Sequence, residues 1–520
     1  MVAADHPVAF EALDPGEHRR ARQPDRAPQL RHRGTPVGRK QRQQPAVEVI
    51  ELTIRRWHSR HRGTPPGNTD ARRRCAGAER VHTGGMPVTL PVPPGRVHQT
   101  LRRHLLVDGF DLVLDTRASR GSWLVDARDG SRHLDLFSFF ASAPLGMNHP
   151  ALTEDRAFLD ELTETAVNKP SNSDVYTTQL AAFVATFERV LGDPALPHLF
   201  LVEGGAPAVE NALKTAFDWK RRHNALCGRP AELGTRVLHL RRAFHGRSGY
   251  TLSLTNTDPR KTALFPTFDW PRIDVPAIRF PIDVAEVEAA EHRALAQARA
   301  AFAAHPHDIA CFIAEPIQGE GGDNHMRGEF LRAMQELCRE HDALFVLDEV
   351  QTGCGMTGTP WAYQQLGVQP DIVAFGKKLQ VCGIMAGGRV DEVPDNVFRV
   401  SSRINSTWGG GLTDMVRSRR YLEVIESEGL IERAAVLGKR LLDELATIPE
   451  VDNVRGRGLF VAADLPTPEA RDAVLTRLRR DEKVLMLGCG ERSIRFRPAL
   501  TIGEDELDLA VAALARAARS

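Results

Sequence analysis

Two short apolar runs in this chain each end in a reactive side chain. Leu344–Leu347 ends in Asp348-Glu349, and Asp371–Phe375 ends in Gly376-Lys377-Lys378. Runs of this length, flanked by helical pattern and turn residues, read as buried parallel strands. Ligands of an open α/β sheet sit beyond the carboxyl ends of its strands, so Asp348 and Lys377 are expected on one rim. A lysine amine there can form a Schiff base with an aldehyde cofactor. Pyridoxal 5′-phosphate is such a cofactor, and its ring nitrogen needs an acidic partner to stay protonated. The chain has nine lysines against 59 arginines, so a Lys-Lys at a strand end stands out from the composition. Taken singly, Asp348 also fits a strand-end turn and Lys377 a solvated loop charge.

A second chemical signal is Val202-Glu-Gly-Gly-Ala-Pro-Ala-Val-Glu-Asn-Ala-Leu-Lys214, a glycine pair before a helix expected to reach His223. Pro207 is tolerated in a first turn because its missing N–H costs little there. The free N–H groups of Gly205 and Ala206, with the helix dipole, make an anion site suited to a phosphate. A glycine pair before a helix is more often only a turn.

The stretches FGKKLQVCGIMAGGRVDEV, NSTWGG, VEGGAPAVENALK and FFASAPLGMNHP resemble class III aminotransferases, fold type I pyridoxal phosphate enzymes, over residues 87–520. Within that class they resemble members acting on the ε-amine of lysine. The resemblance implies L-lysine as donor, 2-oxoglutarate as acceptor, and 2-aminoadipate 6-semialdehyde and L-glutamate as products. It makes Lys377 the Schiff-base lysine and Asp348 the ring-nitrogen partner, and leaves Lys378 structural. Phe244 falls at the ring-stacking position, Glu315 near the cofactor, and Gln351 within reach of its phenolic oxygen. Arg247 is implied to hold one substrate carboxylate. Glu320 is implied to pair with a second carboxylate-binding arginine, Arg497, and to release it for the second substrate. Thr407 is implied to cross a dimer interface to the partner's cofactor phosphate, making a homodimer with shared sites. Another ω-amino donor (ornithine, 4-aminobutyrate or diaminobutyrate) is the nearest competing reading, and a non-enzymatic binding protein on a degenerate fold the next.

The elements that must position these groups follow from periodicity. Arg236–Leu240, Asp308–Ala314, Leu344–Leu347 and Asp371–Phe375 read as strands, with 329–342 a crossover helix. The fold class is α/β, a mainly parallel central sheet flanked by helices, with small α+β N- and C-terminal parts. The expected divisions are 86–150 for the N-terminal part of a small domain, 151–412 for the large cofactor-binding domain and 413–520 for the C-terminal part. Val97–Asp115 has a helical pattern. Gly121–Gly130 reads as a hairpin turned at Asp129-Gly130, followed by a strand from His133 to Phe140.

Residues 1–85 differ in kind. They carry 17 Lys and Arg against 9 Asp and Glu, and Arg31-His-Arg-Gly-Thr-Pro36 recurs as Arg60-His-Arg-Gly-Thr-Pro65. With few apolar clusters they cannot offset chain entropy, so disorder is expected, with Met86 as the natural start of the working protein. Apart from this segment nothing suggests nucleic-acid binding. Seven scattered cysteines without a C-x-x-C pair point to reduced thiols in a cytoplasm and to no metal site. No run reaches membrane-spanning length.

Overall fold

Near its start the described chain forms a hairpin, β1 (Trp123–Val125) against β2 (Arg132–Asp135). The large sheet then takes β3 (His198–Val202), β4 (Arg236–Leu240), β5 (Arg272–Ile273) and β6 (Ile309–Ala314). After a two-residue pair, β7 (Ile317–Gln318) with β8 (Asn324–His325), it takes β9 (Leu344–Asp348), β10 (Ile372–Phe375) and β11 (Cys382–Ala386). Its spatial order is β3-β11-β10-β9-β6-β4-β5. All neighbours pair in parallel except β11, which runs antiparallel to both β10 and β3. This computed structural model describes residues 92–230 and 232–519, so residues 1–85 and Met86 lie outside the described residues.

The central strands are apolar throughout because both faces are covered. In β9, Leu344 and Val346 join one core cluster while Phe345 and Leu347 join the other, and β10 splits Ile372 and Ala374 from Val373 and Phe375 in the same way. The helix Gly205–Leu226 covers one face through Ala208, Val209, Ala212, Leu213, Ala216 and Trp219. The crossover helix Gly328–Glu340 covers the opposite face through Phe330, Leu331, Met334, Leu337 and Cys338. Those positions repeat at helical spacing. The register places Ala374 opposite Asp348, so β9 and β10 end almost level.

The smaller part contains β12 (Asp452–Arg457), β13 (Phe460–Asp464), β14 (Val484–Leu485), β15 (Leu487–Cys489) and β16 (Ser493–Phe496). Four of these make a sheet in the order β12-β13-β16-β15, while β14 adds to the hairpin as β1-β2-β14. Segments from the two ends of the described chain thus share one sheet. No helix of the described residues is long and apolar enough to cross a membrane.

Two local expectations are corrected. The helix expected over Val97–Asp115 covers only Val97–Leu101; it has no buried residue, so no packing offsets the cost of extending it. The strand expected from His133 to Phe140 stops at Asp135. Ser138 to Ala141 instead all have positive φ. That unfavourable turn is tied down at its start: Asp135 Oδ1 accepts from Phe137 N at 2.9 Å and Ser138 N at 2.8 Å, and Ser138 Oγ donates to the Arg497 carbonyl at 2.6 Å.

Candidate active site

Five strands of common direction deliver their following loops to one rim. Gly205 and Ala206 follow β3, Phe244, His245 and Arg247 follow β4, and Glu315, Glu320 and Asp323 follow β6. Asp348 ends β9, with Gln351 just beyond it, and Lys377 follows β10. The only interposed strand, β11, runs the other way and so keeps its own carboxyl end off this rim.

The strand carrying the two lysines stops at Phe375; Lys377 opens a 3-10 turn with φ 50°. The two side chains therefore diverge by a turn and not by strand alternation. Lys378 is buried, and its Nζ donates to the Gln351 carbonyl at 2.6 Å. Burial pushes that amine down to about 7. Lys377 is half-buried and its Nζ makes no hydrogen bond or ion pair among the described residues. Burial and the neighbouring Arg495 push it down to about 8, against the pull of Asp348 and Glu315. Gly376 precedes it because a Cβ there would lie 2.7 Å from Cys382 Sγ.

Asp348 is buried, with Oδ2 2.8 Å from His245 Nδ1 and Oδ1 accepting from Val350 N at 3.1 Å. His245 Nδ1–H is thereby the donor, and its buried Nε2 has no partner. Glu315 accepts from Phe244 N and from Gly319 N, each at 3.0 Å. Burial raises Glu315 to about 7, eased by His245 and opposed to ionisation by Asp348. Sequence reasoning named Asp348, Glu315 and Phe244 and missed His245, although it lies between Phe244 and Arg247, both of which were named.

The pairing expected between Glu320 and Arg497 is not the one observed. Glu320 does not pair with Arg497. Its Oε2 meets Arg495 Nη2 at 2.9 Å and its Oε1 meets Lys261 Nζ at 2.8 Å. Arg497 is spent elsewhere: Nη2 on Asp323 at 2.6 Å, Nε on Gln351 Oε1 at 3.1 Å, and Nη1 on the Phe496 carbonyl at 2.8 Å, with its guanidinium over the Phe460 ring. Arg495, by contrast, keeps buried Nε and Nη1 without partners. Strand alternation puts both arginines on one face, and the buried carboxylate of Asp323 decides which of them is committed. The Gln351 carboxamide accepts from Arg497, so its Nε2 stays uncommitted.

The helix Gly205–Leu226 has no side-chain cap, and the amides of Gly205 and Ala206 have no acceptor among the described residues. A Cβ on Gly205 would sit 3.0 Å from Val350 Cγ1, so the helix start approaches the β9 loop closely only as glycine. Arg247 is exposed and unpaired among the described residues. Thr407 is exposed too, on a loop pinned by Asn172 Nδ2 to the Gly410 carbonyl at 2.8 Å and Ser173 Oγ to the Ser406 carbonyl at 2.7 Å.

Pyridoxal phosphate asks three things of a site: a free amine, a buried carboxylate held in place, and donors for a phosphate. Lys377, Asp348 and the uncapped helix start meet all three. Fold and rim together are those of a fold type I pyridoxal phosphate enzyme. The class-III aminotransferase profile matches residues 108–518. An L-lysine-epsilon aminotransferase of Mycobacterium tuberculosis is 64% identical over 429 residues, 82% of this chain and 95% of that protein. Its namesake in Streptomyces clavuligerus is 61% identical over 426 residues, 81% of this chain and 93% of that protein. A solved lysine aminotransferase from M. tuberculosis, in its internal aldimine form, superposes with TM-score 0.81 at 63% identity, covering 82% of this chain and 99% of that one. This chain belongs to the class-III aminotransferases, and its cofactor is pyridoxal 5′-phosphate.

Proposed function

We propose that this protein moves the ε-amino group of L-lysine to 2-oxoglutarate, giving 2-aminoadipate 6-semialdehyde and L-glutamate in two half-reactions at one site. The observation that carries the donor is the 64% identity across 95% of a curated L-lysine-epsilon aminotransferase. Pyridoxal phosphate, when bound, supplies an aldehyde for amines and a ring that draws electrons from the adjoining carbon. Lys377 Nζ is the amine that would hold that aldehyde, and the same nitrogen would serve as the base that takes the proton from the donor's ε-carbon. An amine lowered to about 8 has a substantial neutral fraction near neutral pH, as a general base requires.

Asp348 would hold the ring nitrogen protonated, and the Nδ1–H of His245 fixes the carboxylate's orientation. Gly205 and Ala206 would donate to the phosphate, Phe244 would stack on the ring, Glu315 would close the site beside it, and Gln351 would donate through Nε2 to the phenolic oxygen. Arg247 and Arg495 are the two carboxylate holders. Lysine, with a single carboxylate, uses Arg247 while Glu320 neutralises Arg495. For 2-oxoglutarate, Glu320 moves aside and Arg495 takes the second carboxylate, bidentately through the Nη2 that Glu320 vacates and one of the donors beside it that have no partner.

The working unit is a homodimer. Thr407 sits exposed on a pinned loop, and Phe140, Tyr176, Leu264, Phe265 and Trp408 are exposed large apolar side chains that a second copy would cover. The described cysteines are all free thiols, which supports a cytoplasmic setting. The deciding assay incubates the purified protein with 2-oxoglutarate and L-lysine, following both glutamate and the cyclic imine of the semialdehyde. Ornithine, 4-aminobutyrate and diaminobutyrate run in parallel. Faster turnover of any of these would remove lysine as the donor while leaving the class intact.

A further inference from the structure

Glu320 has two cationic partners, and only one of them belongs to the substrate-binding scheme. Its backbone carbonyl is pinned by Gly490 N at 3.0 Å, so the carboxylate can turn without the loop moving. Its side chain is about a third exposed, whereas Arg495 is almost fully buried. One oxygen goes to Arg495 and the other to Lys261. Lys261 is itself well placed: Nζ also donates to Thr257 Oγ1 at 2.9 Å and lies 5.4 Å from the centre of the Phe244 ring. Its short 3-10 turn is capped by Asp258, which accepts from Arg260 N at 2.9 Å.

We propose that Lys261 is a specificity-determining positioning residue: by taking Glu320 Oε1 it keeps the Glu320–Arg495 contact single-pronged and therefore releasable for a dicarboxylate substrate. Arg–carboxylate pairs are strongest when two parallel N–H···O bonds form. Arg495 has a second donor, Nη1, buried and unpartnered, and only Lys261 draws the second oxygen of Glu320 away. Without Lys261 that oxygen is free to close the fork on Arg495, and a dicarboxylate must then break a two-pronged buried pair. With Lys261, a carboxylate leaving Arg495 still has a cation to hold it. Both effects favour 2-oxoglutarate, and neither touches the lysine half-reaction, in which Glu320 stays on Arg495. The inference rests on the Glu320–Arg495 gate set out above.

The test uses the holoenzyme and its K261M, K261R, E320A and E320A/K261M variants. Two readouts are taken: the equilibrium dissociation constant of glutarate, an unreactive dicarboxylate, by calorimetry, and the separate rates of the two half-reactions. In K261M, glutarate binding and the KM for 2-oxoglutarate should each worsen about tenfold, the difference between one and two charge-assisted bonds. The lysine half-reaction should stay within about twofold. K261R should restore the dicarboxylate, and K261M should add nothing on an E320A background, because Lys261 acts through Glu320. Equal losses in both half-reactions, unchanged glutarate binding in K261M, or a full further loss in the double variant would each overturn the role of Lys261. If E320A alone leaves the ratio of the half-reactions unchanged, the gate itself fails; if E320A shifts the ratio and K261M does not, only Lys261 fails.

Discussion

Two clusters of charge share the rim and are held in opposite ways. In the inner one, Asp348 and Glu315 are buried and their oxygens are fixed by His245, Val350, Phe244 and Gly319, leaving the Lys377 amine free. In the outer one, a partly exposed Glu320 is divided between Arg495 and Lys261, and Arg495 has donors to spare. The first arrangement suits a cofactor that stays; the second suits ligands that come and go with different numbers of carboxylates. Fixed acceptors around one uncommitted amine make a place for chemistry, and a shared carboxylate makes a place for exchange.

The sharpest way to break the contrast is at the free amine. Lys377→Met should abolish turnover, by about four orders of magnitude or more, because anchor and base are lost together. The purified variant should also lose the yellow absorbance that borohydride bleaches in the parent. Residual turnover with the absorbance intact would move the chemistry elsewhere. Asp348→Asn comes next. It keeps the shape but removes the charge facing the ring nitrogen, and kcat should fall about a hundred- to a thousandfold. A loss confined to KM would mean that Asp348 only packs.

The outer cluster yields smaller and more selective effects. Arg495→Met should raise the KM for 2-oxoglutarate by about a hundredfold, the loss of a buried charge-assisted pair, with the lysine half-reaction affected far less. Arg497→Met should instead damage both half-reactions and lower stability, since it strands the buried Asp323 carboxylate. If the two variants exchanged phenotypes, the assignment of Arg495 as substrate holder would be wrong.

The inner cluster was the more legible in the sequence, for a physical reason. Strands buried on both faces leave uninterrupted apolar runs, so β6, β9 and β10 announce themselves and the residues ending them can be named. The outer cluster was not legible. Arg495 and Arg497 share a strand face, so spacing cannot choose between them, and the choice belongs to Asp323, a residue with no local signature. His245 was hidden because a lone histidine is ordinarily core or surface; only the fold brings its Nδ1 to Asp348. β11 carries Gly383 at its second position, and nothing in its local pattern signals that it reverses direction.

The smallest expected effect tests how many negative charges the inner cluster carries. Burial, reinforced by Asp348, raises Glu315 from 4.5 in the unfolded chain to about 7 in the folded one. Between those values the folded state binds the proton and the unfolded state does not. Glu315 therefore contributes stability that is complete below about pH 4.5 and lost as pH rises through about 7. Glutamine cannot ionise, so the stability of the apoprotein variant Glu315→Gln should improve relative to wild type across that window, by up to about 3 kcal/mol. Urea unfolding of both apoproteins at several pH values reads the difference directly. Other buried acids of the chain, Glu349 among them, titrate alike in both proteins and cancel. A difference that stays flat with pH would mean that the two N–H bonds from Phe244 and Gly319 keep Glu315 ionised. Lys377 would then face two carboxylates, and the inner cluster would resemble the outer one in charge while differing from it only in burial.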